Sequence, residues 1–151
     1  MPLRNEVALA TGACAAKRFL EAGAAVVAFD INDERTHQMA ERLNRQGRAL
    51  VIHRDVALEA GVEIAVAWTD RELGALDVLV NNAGITPPGP AADLNAAEWD
   101  HQLAFNLKGV FLFRKHAIRH LLYAGHAERC RGSRAVCGLR RTPRSFRRVV
   151  L

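Results

Sequence analysis

The 151-residue sequence has no long hydrophobic run, only three cysteines and a single tyrosine. No apolar stretch approaches the roughly 20 residues that cross a bilayer, and residues 1–6 lack the charged-then-apolar pattern of a secretory signal. We therefore expect a cytoplasmic protein with no membrane partner. Cys14, Cys130 and Cys137 are odd in number and show no CxxC spacing, which argues against a disulfide framework and a zinc site.

Excess positive charge is absent from most of the chain. Residues 1–125 carry 13 Lys/Arg against 15 Asp/Glu, whereas residues 126–151 carry eight arginines, no lysine and one acidic residue, Glu128. Such a tail can neutralise phosphates, but Phe146 is the only aromatic residue among its arginines, which leaves little for base stacking. Nucleic acid is therefore disfavoured as a partner.

Short apolar runs alternate with helical patterns, which is typical of successive βαβ units and a parallel sheet. The patterns predict strands at 7–10, 25–29, 49–56 and 76–80, and helices at 15–22, 33–46, 58–73 and 95–125. Glycines follow the first three helices, where a left-handed residue commonly ends a helix. The predicted fold class is α/β: a Rossmann-like, doubly wound parallel sheet that is incomplete, with about four to five strands.

The long helix is predicted from a capping box and an apolar stripe. Asn95 and Glu98 have capping-box spacing, and the proline-rich segment 86–90 before them fits only an exposed loop. The stripe consists of Trp99, Leu103, Leu107, Val110, Phe111 and Ile118. A helix of this length is expected to pack between sheets or subunits.

Five segments occur in a fixed order along residues 5–125. They are Val7-Ala8-Leu9-Ala10-Thr11-Gly12-Ala13, Asp30, Asp55-Val56, Leu76-Asp77-Val78-Leu79-Val80-Asn81-Asn82-Ala83-Gly84 and Asn106-Leu107-Lys108-Gly109-Val110-Phe111. In order and spacing these segments resemble the short-chain dehydrogenase/reductase family. The resemblance implies a dinucleotide-binding region over residues 1–125, followed by a degenerate Arg-rich tail over 126–151. A frameshifted or mis-spliced coding region would produce such a tail.

Acidic residues at the ends of two predicted strands indicate the adenosine end of a cofactor site. A carboxylate at the position of Asp30 accepts hydrogen bonds from both ribose hydroxyls of NAD and repels the 2′-phosphate of NADP. We therefore expect NAD, although Asp30 also fits an ordinary loop start. The resemblance implies that Asp55, with Val56 beside it, receives the adenine; a solvated Asp at a strand end is the alternative.

The turn Asn81-Asn82-Ala83-Gly84 follows the fourth predicted strand, near the point where strand order reverses and open α/β sheets bind ligands. Gly84 lets the backbone approach a cofactor, and Asn82 can bridge neighbouring strands. The expected cofactor set is completed by Thr11, Gly12, Asn82, Ala83 and Gly84.

The first turn departs from the family pattern Thr-Gly-x-x-x-Gly-x-Gly, whose glycines let the backbone wrap a pyrophosphate. Thr11-Gly12 is followed here by Ala13-Cys14-Ala15-Ala16. About six residues are missing relative to the family, and the second and third glycines are missing with them. Weak NAD binding is therefore expected.

The family's serine, tyrosine and lysine relay also lacks counterparts. In that relay the lysine lowers the pKa of the tyrosine, which then acts as the acid/base. Here Tyr123 is the only tyrosine and Ala127 stands four residues on, while Ser133 and Ser145 match the serine poorly. Asn106 is the one catalytic remnant: it matches the family's water-holding helix asparagine, or else it is structural because it has no lysine to serve.

The sequence thus predicts an NAD(P)-dependent oxidoreductase fragment of the alcohol or ketone dehydrogenase type, catalytically impaired, with small-molecule substrates. The alternative is a non-catalytic nucleotide-binding or subunit-interaction module that forms a homo-oligomer through the helix 95–125. His116 and His120 are spaced i, i+4 and can chelate a metal, but no third ligand is evident. We interpret them as surface or packing residues and predict no metal site.

Overall fold

The computed structural model describes residues 3–44, 48–131 and 149–150. Its strands are β1 (Val7–Thr11), β2 (Ala25–Asp30), β3 (Ala49–His53), β4 (Val78–Asn81) and β5 (Val149–Val150). Its α-helices are α1 (Ala13–Glu21), α2 (Asp33–Asn44), α3 (Glu59–Leu73), α4 (Ala96–Leu103) and α5 (Gly109–Arg131). A 3₁₀ turn spans Ala91–Asp93 and a π-helical turn spans Ala104–Lys108. Most of the predicted tail, residues 132–148, lies outside the described residues.

The five strands form one parallel sheet in the order β3-β2-β1-β4-β5. The chain steps outward from β1 to β3 and then returns to add β4 on the other side of β1. This reversal between β1 and β4 is the topological switch point of a doubly wound sheet. The predicted fold class is confirmed.

Both faces of the sheet are buried, so the strands read as continuous apolar runs. On one face Leu9, Phe29 and Leu79 pack against α3 and α5, and Phe29 meets Phe113 edge to face at 5.0 Å between ring centroids. The other face is built largely from small side chains, including Ala8, Ala10, Ala16, Ala28 and Val26. Alanines on both sides of this contact let α1 lie close to the sheet.

The third strand is shorter than predicted. It ends at His53, not at Val56, because its ladder with β2 ends where Asp30 pairs with His53. The next residues turn away: Leu58 N–H donates to the Asp55 carbonyl at 3.2 Å. The strand's end is therefore fixed by its neighbour's length.

The long helix begins as predicted and runs further. Asn95 caps α4 through the full capping box, with Glu98 N–H donating to Asn95 Oδ1 and Asn95 N–H to Glu98 Oε2, both at 3.0 Å. The helix continues through the π-helical turn into α5 and ends at Arg131 instead of Gly125. No helix among the described residues is both long and apolar enough to cross a membrane.

The predicted apolar stripe does not face the sheet. The side chains buried by this helix include Phe105, Leu112, Phe113 and Ala117. The π-helical turn carries an i→i+5 pattern, so it shifts the facing of the residues after it, but Trp99 and Leu103 precede it and are exposed as well. Exposed apolar side chains instead follow the outer face: Trp99, Leu103, Leu107, Phe111, Ile118 and Leu122. We call these six residues the outer stripe.

Ion pairs join α3 to α5. Lys115 Nζ lies 2.6 Å from Glu59 Oε1, and His116 Nε2 lies 3.0 Å from the same oxygen. Both hydrogen bonds lower the pKa of Glu59, and the bond from Lys115 has the larger effect. His120 Nδ1 lies 3.5 Å from Asp70 Oδ2. The two histidines therefore face different carboxylates, and no described cluster of three His, Cys, Asp or Glu side chains could hold a metal.

The lowered pKa of Glu59 predicts acid-sensitive stability. A carboxyl whose folded pKa lies below its ordinary 4.5 stabilises the fold fully above that value and loses this contribution as pH falls through the folded pKa. Glu59→Gln should therefore lose less stability than the wild type when the pH drops from about 6 to about 3. Urea unfolding at several pH values measures this, with Glu63→Gln, an exposed carboxylate on the same helix, as the control. Identical pH profiles for Glu59→Gln and the wild type would contradict it.

Candidate nucleotide site

Thr11 joins the two strands at the switch point. It is 2% exposed, and its hydroxyl accepts from Asn82 N–H at 2.9 Å and Ala83 N–H at 3.0 Å. The same hydroxyl donates to the Val80 carbonyl at 3.3 Å. One side chain at the end of β1 thus shapes the turn that follows β4.

Gly12 carries the chain from β1 directly into α1. Its φ of 82° and ψ of 135° suit glycine alone, and an added Cβ would lie 2.9 Å from Asn82 Nδ2. Its amide donates to the Phe29 carbonyl at 2.8 Å, and α1 starts at the next residue, Ala13. A single residue, Gly12, therefore separates the end of β1 from the start of α1.

Acidic side chains follow β2 and β3 at the same edge of the sheet. Asp30 Oδ1 accepts from Asn32 N–H at 2.9 Å, and Asp55 Oδ1 accepts from Ala57 N–H at 2.7 Å. Arg54 N–H donates to the Asp30 carbonyl at 3.0 Å, which ties the two strand ends together. The two carboxylates are thus held in fixed orientations on neighbouring strands, where they can accept from hydroxyl or amino donors.

Asn106 lies in the π-helical turn and binds the loop after β4. Its Oδ1 accepts from Ile85 N–H at 2.9 Å and its Nδ2 donates to the Ile85 carbonyl at 2.8 Å. An added Cβ on Gly84 would lie 3.1 Å from Asn106 Oδ1, so a side chain there would require Asn106 to shift by a few tenths of an ångström. The side chain of Asn106 therefore positions the loop backbone after β4.

Asn81 shows a feature that the sequence did not reveal. Asn81 is 8% exposed, and its side-chain atoms Oδ1 and Nδ2 have no hydrogen-bond partner among the described residues. Asn82, in contrast, is exposed, and its amide is held by Thr11. Two adjacent asparagines thus differ in environment: Asn81 is the last residue of β4, and Asn82 lies just beyond it.

Comparison with known proteins gives a match over most of the chain. A family model described as short chain dehydrogenase matches residues 7–132. Zerumbone synthase of Zingiber zerumbet is 36% identical over 130 residues, covering 81% of this chain and 49% of that protein. D-threitol dehydrogenase of Mycolicibacterium smegmatis is 36% identical over 133 residues, covering 82% of this chain and 50% of that protein.

Solved structures agree with these sequence matches. A 3-ketoacyl-(acyl-carrier-protein) reductase from Brucella melitensis, complexed with NADH, superposes with a TM-score of 0.76 at 34% identity. The match covers 83% of this chain and 54% of the reductase. The chain thus spans about half the length of the relatives it matches.

Proposed function

The chain belongs to the short-chain dehydrogenase family, and from this premise we propose that it is the nucleotide-binding part of an NAD-preferring oxidoreductase. The observation that carries the proposal is the pair of oriented carboxylates, Asp30 and Asp55, at the carboxyl ends of neighbouring strands beside the switch point. Open α/β sheets bind dinucleotides there, and an acidic residue at the end of the second strand favours the 2′-hydroxyl of NAD over the 2′-phosphate of NADP.

We assign nucleotide binding to residues 1–125, with Thr11, Gly12, Asp30, Asp55, Val56, Asn82, Ala83 and Gly84 as its residues. The names of two similar proteins, a D-threitol dehydrogenase and a 3-ketoacyl reductase, support an alcohol or ketone as the substrate class. We further propose that the 151-residue chain has little turnover, because it contains no Tyr-x-x-x-Lys pair. Tyr123 and Ala127 both lie in α5.

Calorimetry with NAD and NADP tests the nucleotide proposal. We expect NAD to bind about tenfold more tightly than NADP, which corresponds to roughly 1.4 kcal/mol of charge repulsion. Asp30→Asn should shrink this difference because it removes the carboxylate charge, whereas Glu63→Gln, the same change on the exposed face of α3, should preserve it. Equal affinities in the wild type would contradict the NAD preference, and hydride transfer to simple ketones would contradict the expected lack of turnover.

We also propose that the outer stripe is covered by a second copy of the chain. Six large apolar side chains along one helix face, between 37% and 64% exposed, form a surface that isolated proteins rarely leave in water. Exposed charges beside the stripe differ in sign between its two halves: Glu98 and Asp100 lie beside its first residue on α4, and Arg114 and Arg119 lie beside its second half on α5. An antiparallel pair related by a two-fold axis places the acidic end of one copy beside the basic end of the other.

A further inference from the structure

At the phosphate end of the crevice, the groups that could bind an anion already have hydrogen-bond partners within the protein. The Gly12 amide is bonded to Phe29 within the sheet, and the Thr11 hydroxyl is bonded to Asn82 and Ala83 in the turn. Nucleotide-binding turns of this fold use a second glycine for close approach to the pyrophosphate and a third for helix packing. After Gly12 the next glycine is Gly23, which lies beyond the end of α1.

The first turn of α1 contains no basic residue that could compensate for this loss. The first turn of α1 begins Ala13-Cys14-Ala15-Ala16, and the first basic residue, Lys17, lies 3.7 Å from the Glu21 carboxylate. The helix also begins without any side-chain cap. A diphosphate placed here would meet only the end of a nine-residue helix, without the surrounding turn that normally wraps it.

The adenosine end keeps a built and oriented set of groups. Asp30 and Asp55 are each fixed by a backbone amide, Val56 is 4% exposed, and Ile31 presents an apolar side chain that is 49% exposed. Among the described side chains at this edge, Asp30, Asp33, Glu34 and Asp55 are acidic and Arg54 is basic, and His37 and His53 each lie 3.7 Å from the Asp33 carboxylate. The Arg54 guanidinium donates to the His53 carbonyl at 2.9 Å. Such an edge attracts hydroxyl and amino donors and gives no advantage to added anionic groups.

Resting on the nucleotide proposal above, we infer that this crevice recognises the adenosine part of its ligand and gains no affinity from the diphosphate. A neutral adenine nucleoside is then as good a ligand as the whole dinucleotide. The residues present fit an adenine nucleoside, and they do not fit the diphosphate of NAD. This separates the chain from dinucleotide sites in which the pyrophosphate turn contributes much of the binding.

Calorimetry of the 151-residue chain with adenosine and with NAD tests the inference, with saturation-transfer NMR to detect weak binding. We expect dissociation constants within about threefold of each other and little change with added salt, because no phosphate contact is screened. A tenfold or greater preference for NAD that salt weakens would overturn the inference while leaving the nucleotide proposal intact. Absence of binding by both ligands would overturn both proposals.

Two variants and one control variant sharpen the test. Asp30→Ala should lower the affinities for adenosine and for NAD by the same factor. Glu63→Ala, on the exposed face of α3, should change neither affinity. Inserting Gly-Ser-Gly-Ile-Gly-Arg between Ala13 and Cys14 restores the pattern Thr-Gly-x-x-x-Gly-x-Gly, and should raise NAD affinity over adenosine affinity by about tenfold. An insertion variant that folds and still binds both ligands equally would contradict the assignment of the loss to this turn.

Discussion

Replacing Thr11 by valine is expected to lower the free energy of unfolding by about 2–4 kcal/mol. Valine has nearly the shape of threonine, so the substitution creates no cavity in this buried position. It does remove the acceptor of the Asn82 and Ala83 amides at the end of β4. Because a partly buried amide without a partner keeps its desolvation cost, losing one oxygen here affects two backbone donors at once.

The matched control is Thr69→Val in α3. Thr69 is fully buried, but its hydroxyl only donates to the Ala65 carbonyl at 2.7 Å, one helical turn back. That carbonyl also has a backbone donor within the helix, so we expect a loss below about 1 kcal/mol. Thr11→Ser keeps the hydroxyl and removes only a methyl group, so it should lower the free energy of unfolding by about 1 kcal/mol. Urea unfolding compares the three variants, and equal losses from the two valine substitutions would refute the role given to the Thr11 hydroxyl.

The sheet was predictable because its determinants are local. Apolar runs mark β1, β2 and β4, and Gly23 and Gly74 adopt positive φ just beyond the ends of α1 and α3, as their positions in the sequence indicate. The end of β3 was not predictable in this way. It depends on where Asp30 ends the neighbouring strand, which is a property of the pairing register and not of the residues 54–56 themselves.

The long helix illustrates the same division. Its start at Asn95 follows from a capping box, which is a four-residue signal. The π-helical turn that follows depends on packing: Phe105 is buried there, while Asn106 reaches Ile85 across the sheet edge. A pattern of period 3.6 contains no information about that insertion, and it does not say which face of the helix packs against the sheet.

The candidate site also combines features set by local sequence signals with features set by long-range contacts. Asp30 and Asp55 were predicted as strand-end carboxylates, and their positions follow from the strand order. The Thr11 hydrogen bonds depend on contacts across some 70 residues of sequence, which no local motif specifies. The family motif identifies these residues but does not say which atoms they contact.

Glutamate at position 111 is expected to separate the proposed dimer, with a loss of affinity of about 100-fold or more. Phe111 is 58% exposed in the middle of the outer stripe, so the substitution should leave the fold of each copy intact. In a two-fold interface each change occurs twice, and burying two carboxylates in an apolar contact costs several kcal/mol, where about 2.7 kcal/mol already corresponds to 100-fold. Sedimentation equilibrium over a range of protein concentrations measures the change.

Ile64→Glu distinguishes a specific interface from a general effect of added charge. Ile64 has the same exposed fraction as Phe111, 58%, but it lies on α3, which carries no residue of the outer stripe. Its substitution should therefore leave the dimer affinity unchanged. If Ile64→Glu weakens association as much as Phe111→Glu, the interface is not the outer stripe; if the wild-type chain sediments as a monomer at all concentrations, the second copy is not its partner.

Charge reversal at Arg119 should weaken the dimer and Asp100→Arg in the same chain should restore it, because antiparallel pairing brings these two positions together between copies.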